Sequence, residues 1–196
     1  MTKILVLYYS RHGHVAEMAK LIAKGASQSR NCEITIRTVP ELGQDPDSIP
    51  EQGHLFCTKE DLRHCDGLAL GSPTRFGNMA APLKAFIDST SDVWISGSMI
   101  DKPACVFTAS SSMHGGQEST LLSMMLPLLH HGMVIMGLPY SENGFMDTES
   151  GGTPYGASLV SGPKNDEQAT AIEKNLCIAL GKRLAMISAK QTAAEA

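Results

Sequence analysis

The sequence predicts an α/β domain built on a doubly wound, five-stranded parallel sheet of order 2-1-3-4-5, with helices on both faces. Three observations carry this expectation. Apolar runs of strand length alternate along the chain with stretches of helical period, the signature of strand–helix units around a parallel sheet. The first apolar run, Ile4-Leu5-Val6-Leu7, leads at once into a short polar turn with a glycine, Ser10-Arg11-His12-Gly13-His14-Val15. Such a turn between a first strand and a first helix is where α/β proteins hold phosphate, because backbone N–H groups and the helix dipole both favour an anion. Of the two common doubly wound orders, 2-1-3-4-5 suits five strands and one phosphate turn.

The elements follow in order. The first strand covers about residues 3–9. The first helix covers about 14–29, with Val15, Met18, Ala19, Ile22 and Ala26 on one face. Glu33 to Arg37 alternates as a short, more exposed strand suited to an edge. Residues 40–65 are polar and without strong period, with a short helix around Lys59–Arg63. Gly67 to Ser72 is the third strand; Leu83, Phe86 and Ile87 mark the next helix. Ala104 to Thr108 is the fourth strand, and Gln117 to about His130 the helix after it, with a kink or early end expected at Pro127 and a stop at Gly132. Met133 to Gly137 is the fifth strand. The stretch from Pro139 to Lys164 is too long and too rich in Gly, Pro and Ser for an ordinary connection, which marks it as functional or disordered. Asn165-Asp166-Glu167-Gln168 reads as a capping box opening a last helix whose buried face includes Leu176, Leu180 and Leu184. One domain over 1–188 with a frayed tail over 189–196 is the expected organisation.

Bulk properties narrow the function. A net charge of −4 gives no broad electrostatic case for nucleic acid or an anionic membrane. Residues 1–40 carry six Lys/Arg and two Asp/Glu, whereas residues 41–66 carry two and seven, an acidic surface excursion. The apolar run near the N-terminus is too short for a signal peptide, and no stretch reaches membrane-spanning length, so a cytoplasmic protein without integral membrane association is expected. Five scattered cysteines without CxxC fit reduced thiols. His54, Cys57, His64 and Cys65 match no zinc spacing; they read as surface residues, and no metal is expected.

In a doubly wound sheet ligands bind outside the carboxyl ends of the strands. Three polar loops then fall side by side: 10–15, 73–78 and 109–116. In Pro73-Thr74-Arg75-Phe76-Gly77-Asn78 the donors, the planar Phe and the fixed Arg cation suit a flat heteroaromatic ring with polar edges. By itself this loop equally reads as a helix-starting cap. The small residues of Ala109-Ser110-Ser111-Ser112 and Gly115-Gly116 let backbone approach a ligand closely. Trp94, in a polar, loop-like stretch, reads as an exposed aromatic. His130 and His131 invite a catalytic reading, although a lone histidine is more often a hydrogen-bonded structural group.

The residues Tyr8-Tyr9-Ser10 with Gly13-His14, Ser72 to Met79, His114 to Glu118, His130 to Val134 and Gly151 to Ala157 resemble the WrbA family of flavodoxin-like NAD(P)H:quinone oxidoreductases, in the right order and over nearly the whole chain. The resemblance implies a flavodoxin-like fold, FMN, and ping-pong two-electron reduction of quinones by NADH or NADPH through the flavin. It also implies a homotetramer, a dimer of dimers, with sites near subunit interfaces. It places Ser10, Arg11, His12, Gly13, His14 and Val15 at the FMN phosphate, and Pro73 to Asn78 at the ring and ribityl chain. Ala109, Ser110, Ser111, Ser112, Gly115 and Gly116 would flank the ring's other edge. His130 would reach the flavin from a neighbouring subunit, and Trp94 would wall the nicotinamide/quinone site; His130 or a bound water is then expected to assist quinone protonation. His12 stands where many members carry Tyr, at the nicotinamide end of the substrate site. Two other classes use the same loops: a one-electron flavodoxin-type carrier, against which the mild charge and the long 139–164 stretch count, and a flavin-binding module without turnover.

Overall fold

The computed structural model describes residues 1–50 and 53–194. Five parallel strands lie in the expected order, β2 (Cys32–Thr38), β1 (Thr2–Tyr8), β3 (Gly67–Pro73), β4 (Pro103–Ser110) and β5 (Val134–Ile135). Alternate residues of β1 enter opposite faces, as the two-residue period of a strand requires. Ile4, Val6 and Tyr8 pack in one apolar layer with helices α1 (His14–Ala26) and α6 (Ala171–Ala194). Leu5, Leu7 and Tyr9 pack in the other with α2 (Lys59–His64), α3 (Ala81–Asp88), α4 (Ser91–Ile95) and α5 (Gln117–His130). No residue of β2 is fully buried, and Glu33 is exposed, as suits an edge.

The fifth position of the sheet is divided. β5 pairs only with the start of β4, Val134 opposite Pro103 and Ile135 opposite Ala104. The chain then leaves the sheet and returns as β6 (Ala157–Val160), which pairs in parallel with the end of β4, from Phe107–Ala157 to Ser110–Val160. The expected strand over 133–137 is therefore shortened, and a fully buried strand lies inside the segment expected to be a long connection. Four residues flanked by Gly and Ser give too short a run to stand out as a strand.

Two helix ends also differ from expectation. The box at the start of α6 is formed by Thr170 and Glu173 rather than by Asn165 to Gln168. Thr170 N–H donates to Glu173 Oε2 at 2.7 Å, and Glu173 N–H donates to Thr170 Oγ1 at 3.2 Å. Asn165 is left-handed, φ 55°, and belongs to the preceding turn. At its other end α6 continues through Ala194, past the expected frayed tail at 189; residues 195 and 196 lie outside the described residues, as do 51 and 52 of the acidic excursion. In α5 the chain stays helical past Pro127 to His130 and stops at Gly132, φ 80°.

Candidate functional site

At the carboxyl edge of the sheet, Tyr9 N–H still donates to Gly71 O at 3.0 Å, so the chain leaves β1 in register with β3. The turn Ser10 to Gly13 then reverses into α1. Gly13 takes φ 90° at the N-cap, its N–H reaching Ser10 Oγ at 3.2 Å, and among the described residues no side chain caps the helix. The first-turn N–H groups, from His14 onward, thus face outward at the positive end of the helix dipole. Such an end suits a phosphate. Glu41 orders the flank: Tyr9 Oη donates to its carboxylate at 2.9 and 3.1 Å, and Arg11 lies 3.7 Å away in an exposed pair. Burial, with Glu41 beside it, raises the Tyr9 phenol above its ordinary range, so it remains a neutral donor.

The second loop is a tight turn. Arg75 N–H donates to Asn78 O at 2.8 Å and Asn78 N–H to Arg75 O at 3.0 Å, with Phe76 (φ 51°) and Gly77 (φ 74°) at the tip. Positive φ at both central residues is the primed-turn geometry. Holding a phenylalanine there costs on the order of 1 kcal/mol, yet the Phe76 ring is fully exposed. Asn78 Oδ1 accepts from Met79 N–H at 2.9 Å and from Ser123 Oγ at 3.2 Å, and so fixes the turn to α5.

The third loop is drawn around one carbonyl. Ser112 O accepts from Ser110 Oγ at 2.7 Å, Gln117 Nε2 at 3.0 Å and Gly115 N–H at 3.2 Å. Gly116, φ 95°, lies so close to the second loop that a Cβ would sit 3.0 Å from Gly77 Cα and 3.2 Å from Thr74 Oγ1. Thr120 Oγ1 donates to Thr74 Oγ1 at 2.7 Å.

A cleft of about 220 Å³ opens where these loops meet. Ser10, Arg11, His12, His14 and Val15 line it from the first loop, Pro73, Thr74 and Arg75 from the second, and Ala109, Ser110 and Ser111 from the third. Gly13, Phe76, Gly77, Asn78, Ser112, Gly115 and Gly116 shape these loops without lining the cleft. The uncapped helix end, four cationic or imidazole side chains and several hydroxyls fit the phosphate and polar chain of the phosphorylated flavin that the resemblance implies. A fourth wall, Ser161 and Asn165, escaped the sequence reading. It follows β6, and recognising that strand is the signal that would have placed it at the same sheet edge. His14 Nε2 lies 3.0 Å from Asn165 O, which joins this wall to the phosphate turn.

Trp94 and His130 line a separate cleft with His131 and Thr90, sharing no residue with the first. Trp94 sits in the short helix α4 rather than a loop, and is exposed as expected. Thr90 Oγ1 donates to Ile87 O at 2.7 Å and lies 3.0 Å from His131 Nε2, so that nitrogen carries the proton and Nδ1 is a buried acceptor without a partner among the described residues. Burial, then the neighbouring His130, lowers the His131 pKa and keeps the ring neutral.

The expectation of surface positions for His54, Cys57, His64 and Cys65 is corrected for the two cysteines. Cys57 and Cys65 are buried in the apolar layer under α2, and burial pushes the Cys65 thiol up to about 12. Their spacing from apolar neighbours is irregular, which hid them from a periodicity reading. His54 Nδ1 lies 3.0 Å from Tyr8 Oη. Among the described residues no cluster of three or more His, Cys, Asp or Glu is arranged to hold a metal, and no helix is long and apolar enough to cross a membrane.

The family model for NADPH-dependent FMN reductases matches residues 2–144. An NAD(P)H dehydrogenase (quinone) of Geotalea daltonii is 43% identical over 96% of this chain and 97% of its own length. A WrbA-like flavodoxin of Agrobacterium tumefaciens has a similar fold, with a TM-score of 0.69 at 22% identity over 97% of this chain and 99% of its own. A flavodoxin from the domain Archaea superposes with a TM-score of 0.65 at 18% identity, covering 96% and 99% of the two chains.

Proposed function

The chain belongs to the NADPH-dependent FMN reductase family, and from that premise we propose how its cleft works. The protein is an FMN-dependent NAD(P)H:quinone oxidoreductase. The observation that carries the site assignment is the convergence of three sequence-distant loops on the uncapped N-terminus of α1. FMN, when bound, supplies two-electron hydride chemistry. The protein's part is placement. The first-turn N–H groups of α1, Ser10 and Arg11 would hold the phosphate. Thr74, Arg75 and the Ser110–Ser111 backbone would line the polar chain and ring edges, and Phe76, exposed at the tip of the Arg75–Asn78 turn, would reach the ring from outside that cleft. His12, an exposed residue of the cleft lining, would contact the nicotinamide nucleotide.

NAD(P)H and quinone use one position in turn, so the kinetics are ping-pong. Stacked aromatic walls serve by orientation, since hydride transfer needs near-contact geometry. Trp94 and His130 lie in their own cleft, so they act on a neighbouring copy's flavin, His130 protonating the bound quinone in a homotetramer arranged as a dimer of dimers. The exposed rings of Phe76 and Trp94 support such an assembly. The single domain works in the cytoplasm. Anaerobic titration of the purified protein tests the reading: either NADH or NADPH should bleach a yellow protein and benzoquinone should restore the colour. A colourless protein that refuses added FMN sinks it, and an obligatory ternary complex rejects the shared position.

A further inference from the structure

Glu173 does more than cap α6. The residue is 1% exposed, yet its carboxylate gathers four donors. Oε1 accepts from Ser150 Oγ at 2.9 Å, Gly151 N–H at 2.8 Å and Val160 N–H at 3.0 Å, and Oε2 accepts from Thr170 N–H at 2.7 Å. A carboxylate this deep is tolerated only with such hydrogen bonding, because losing its hydration is costly. Three of the donors come from the segment that brings the chain back to the sheet: Ser150 and Gly151 ahead of β6, and Val160, its last residue. The next residue, Ser161, is 2% exposed and tied to β4, its N–H donating to Ser110 O at 2.8 Å and its Oγ lying 3.1 Å from the same carbonyl. Ser161 Oγ also lies 2.9 Å from Asn165 Oδ1, and Asn165 O meets His14 at the start of α1. A series of polar contacts, joined through the backbone at Val160–Ser161 and through Asn165 itself, therefore runs from Glu173 to the phosphate turn.

We propose that Glu173 is a positioning residue for the cofactor's phosphate: it fixes the end of β6 so that Ser161 and Asn165 stand as the fourth wall and hold His14 at the helix N-terminus. The proposal rests on the reading that the phosphate sits at that terminus. A Glu173 that merely stabilised the domain would affect every ligand of the cleft alike. Riboflavin, with the same ring and ribityl chain but no phosphate, separates the two roles.

The experiment measures dissociation constants of FMN and riboflavin for the flavin-free full-length protein, by quenching of flavin fluorescence. The unsubstituted protein should prefer FMN strongly, and Glu173→Gln should reduce that preference at least tenfold while weakening riboflavin by less than threefold. Equal weakening of both flavins, or of neither, overturns the proposal. An unsubstituted protein that binds riboflavin as well as FMN overturns it too, and identifies the phosphate reading as the failed premise. Should Glu173→Gln not fold, Ser161→Ala interrupts the same series further along. It should also narrow the FMN preference, and an unchanged preference counts against the proposal. Where both variants fold, the double variant should lose no more preference than the worse single one.

Discussion

Gly13 and Gly116 occupy the same left-handed region, φ 90° and 95°, at the N-caps of α1 and α5, but for different reasons. A Cβ on Gly13 would meet nothing within 4 Å among the described residues, so the backbone is what requires glycine there. A Cβ on Gly116 would press on Gly77 Cα at 3.0 Å, backbone that cannot swing aside. Gly13→Ala should therefore cost about 1–2 kcal/mol of local conformation and weaken FMN roughly tenfold. Gly116→Ala should weaken it further, because the second and third loops must move apart. Flavin fluorescence titration of the two variants compares them, and equal losses would remove the steric argument. At this scale the sequence was informative about the loops and silent about contacts between them. Glycines in polar turns are visible in a list of residues, whereas the carbonyl of Ser112 drawing three donors is a property of the folded loop alone.

Helices α1 and α6 are joined by a reciprocal device. A Cβ at Gly25 would lie 1.9 Å from Ile178 O, and one at Gly181 would lie 1.9 Å from Ile22 O. Each helix presses its backbone into the gap left by the other's missing side chain. Alanine at either position gains about 1 kcal/mol in helix propensity. It also overpacks a contact that has no flexible partner, which costs typically about 1–3 kcal/mol or more. Gly25→Ala and Gly181→Ala should each lower the melting temperature by several degrees in thermal unfolding, against the direction that propensity alone dictates. Element by element, the strands of the central sheet and the helix α1 were legible because each shows a clear apolar period with polar punctuation. β6 was not: its four residues, Ala157 to Val160, become a strand only because β4 runs on past β5 and leaves its last residues to be paired. The start of α6 was missed for a related reason. The box of Thr170 and Glu173 is selected by buried donors from Gly151 and Val160, which only the fold brings to Glu173.

At the scale of the whole molecule, strand order and three of the cleft's four walls follow from the alternation of elements and the rule that ligands sit at the carboxyl edge. The placement of Trp94 and His130 together, outside that cleft, does not, because it depends on how α4 and the end of α5 meet across the surface. The divided fifth position carries a consequence for how the molecule opens. β1 and β3 also pair across a long stretch of chain, but each is held by a second strand, whereas among the described strands β6 is held by β4 alone, from Phe107–Ala157 to Ser110–Val160. A short pairing held on one side is the kind that opens locally. The part of the sheet readiest to open is thus the part that walls the phosphate, and a ligand that needs this wall stabilises it by mass action. Stripping the flavin should expose the 139–156 segment to limited proteolysis, and adding FMN back should protect it; equal cleavage with and without FMN would separate the two events. Cofactor retention and the closing of the sheet would then be one equilibrium, and the lifetime of the holoprotein would be set by how often four residues let go of their neighbour.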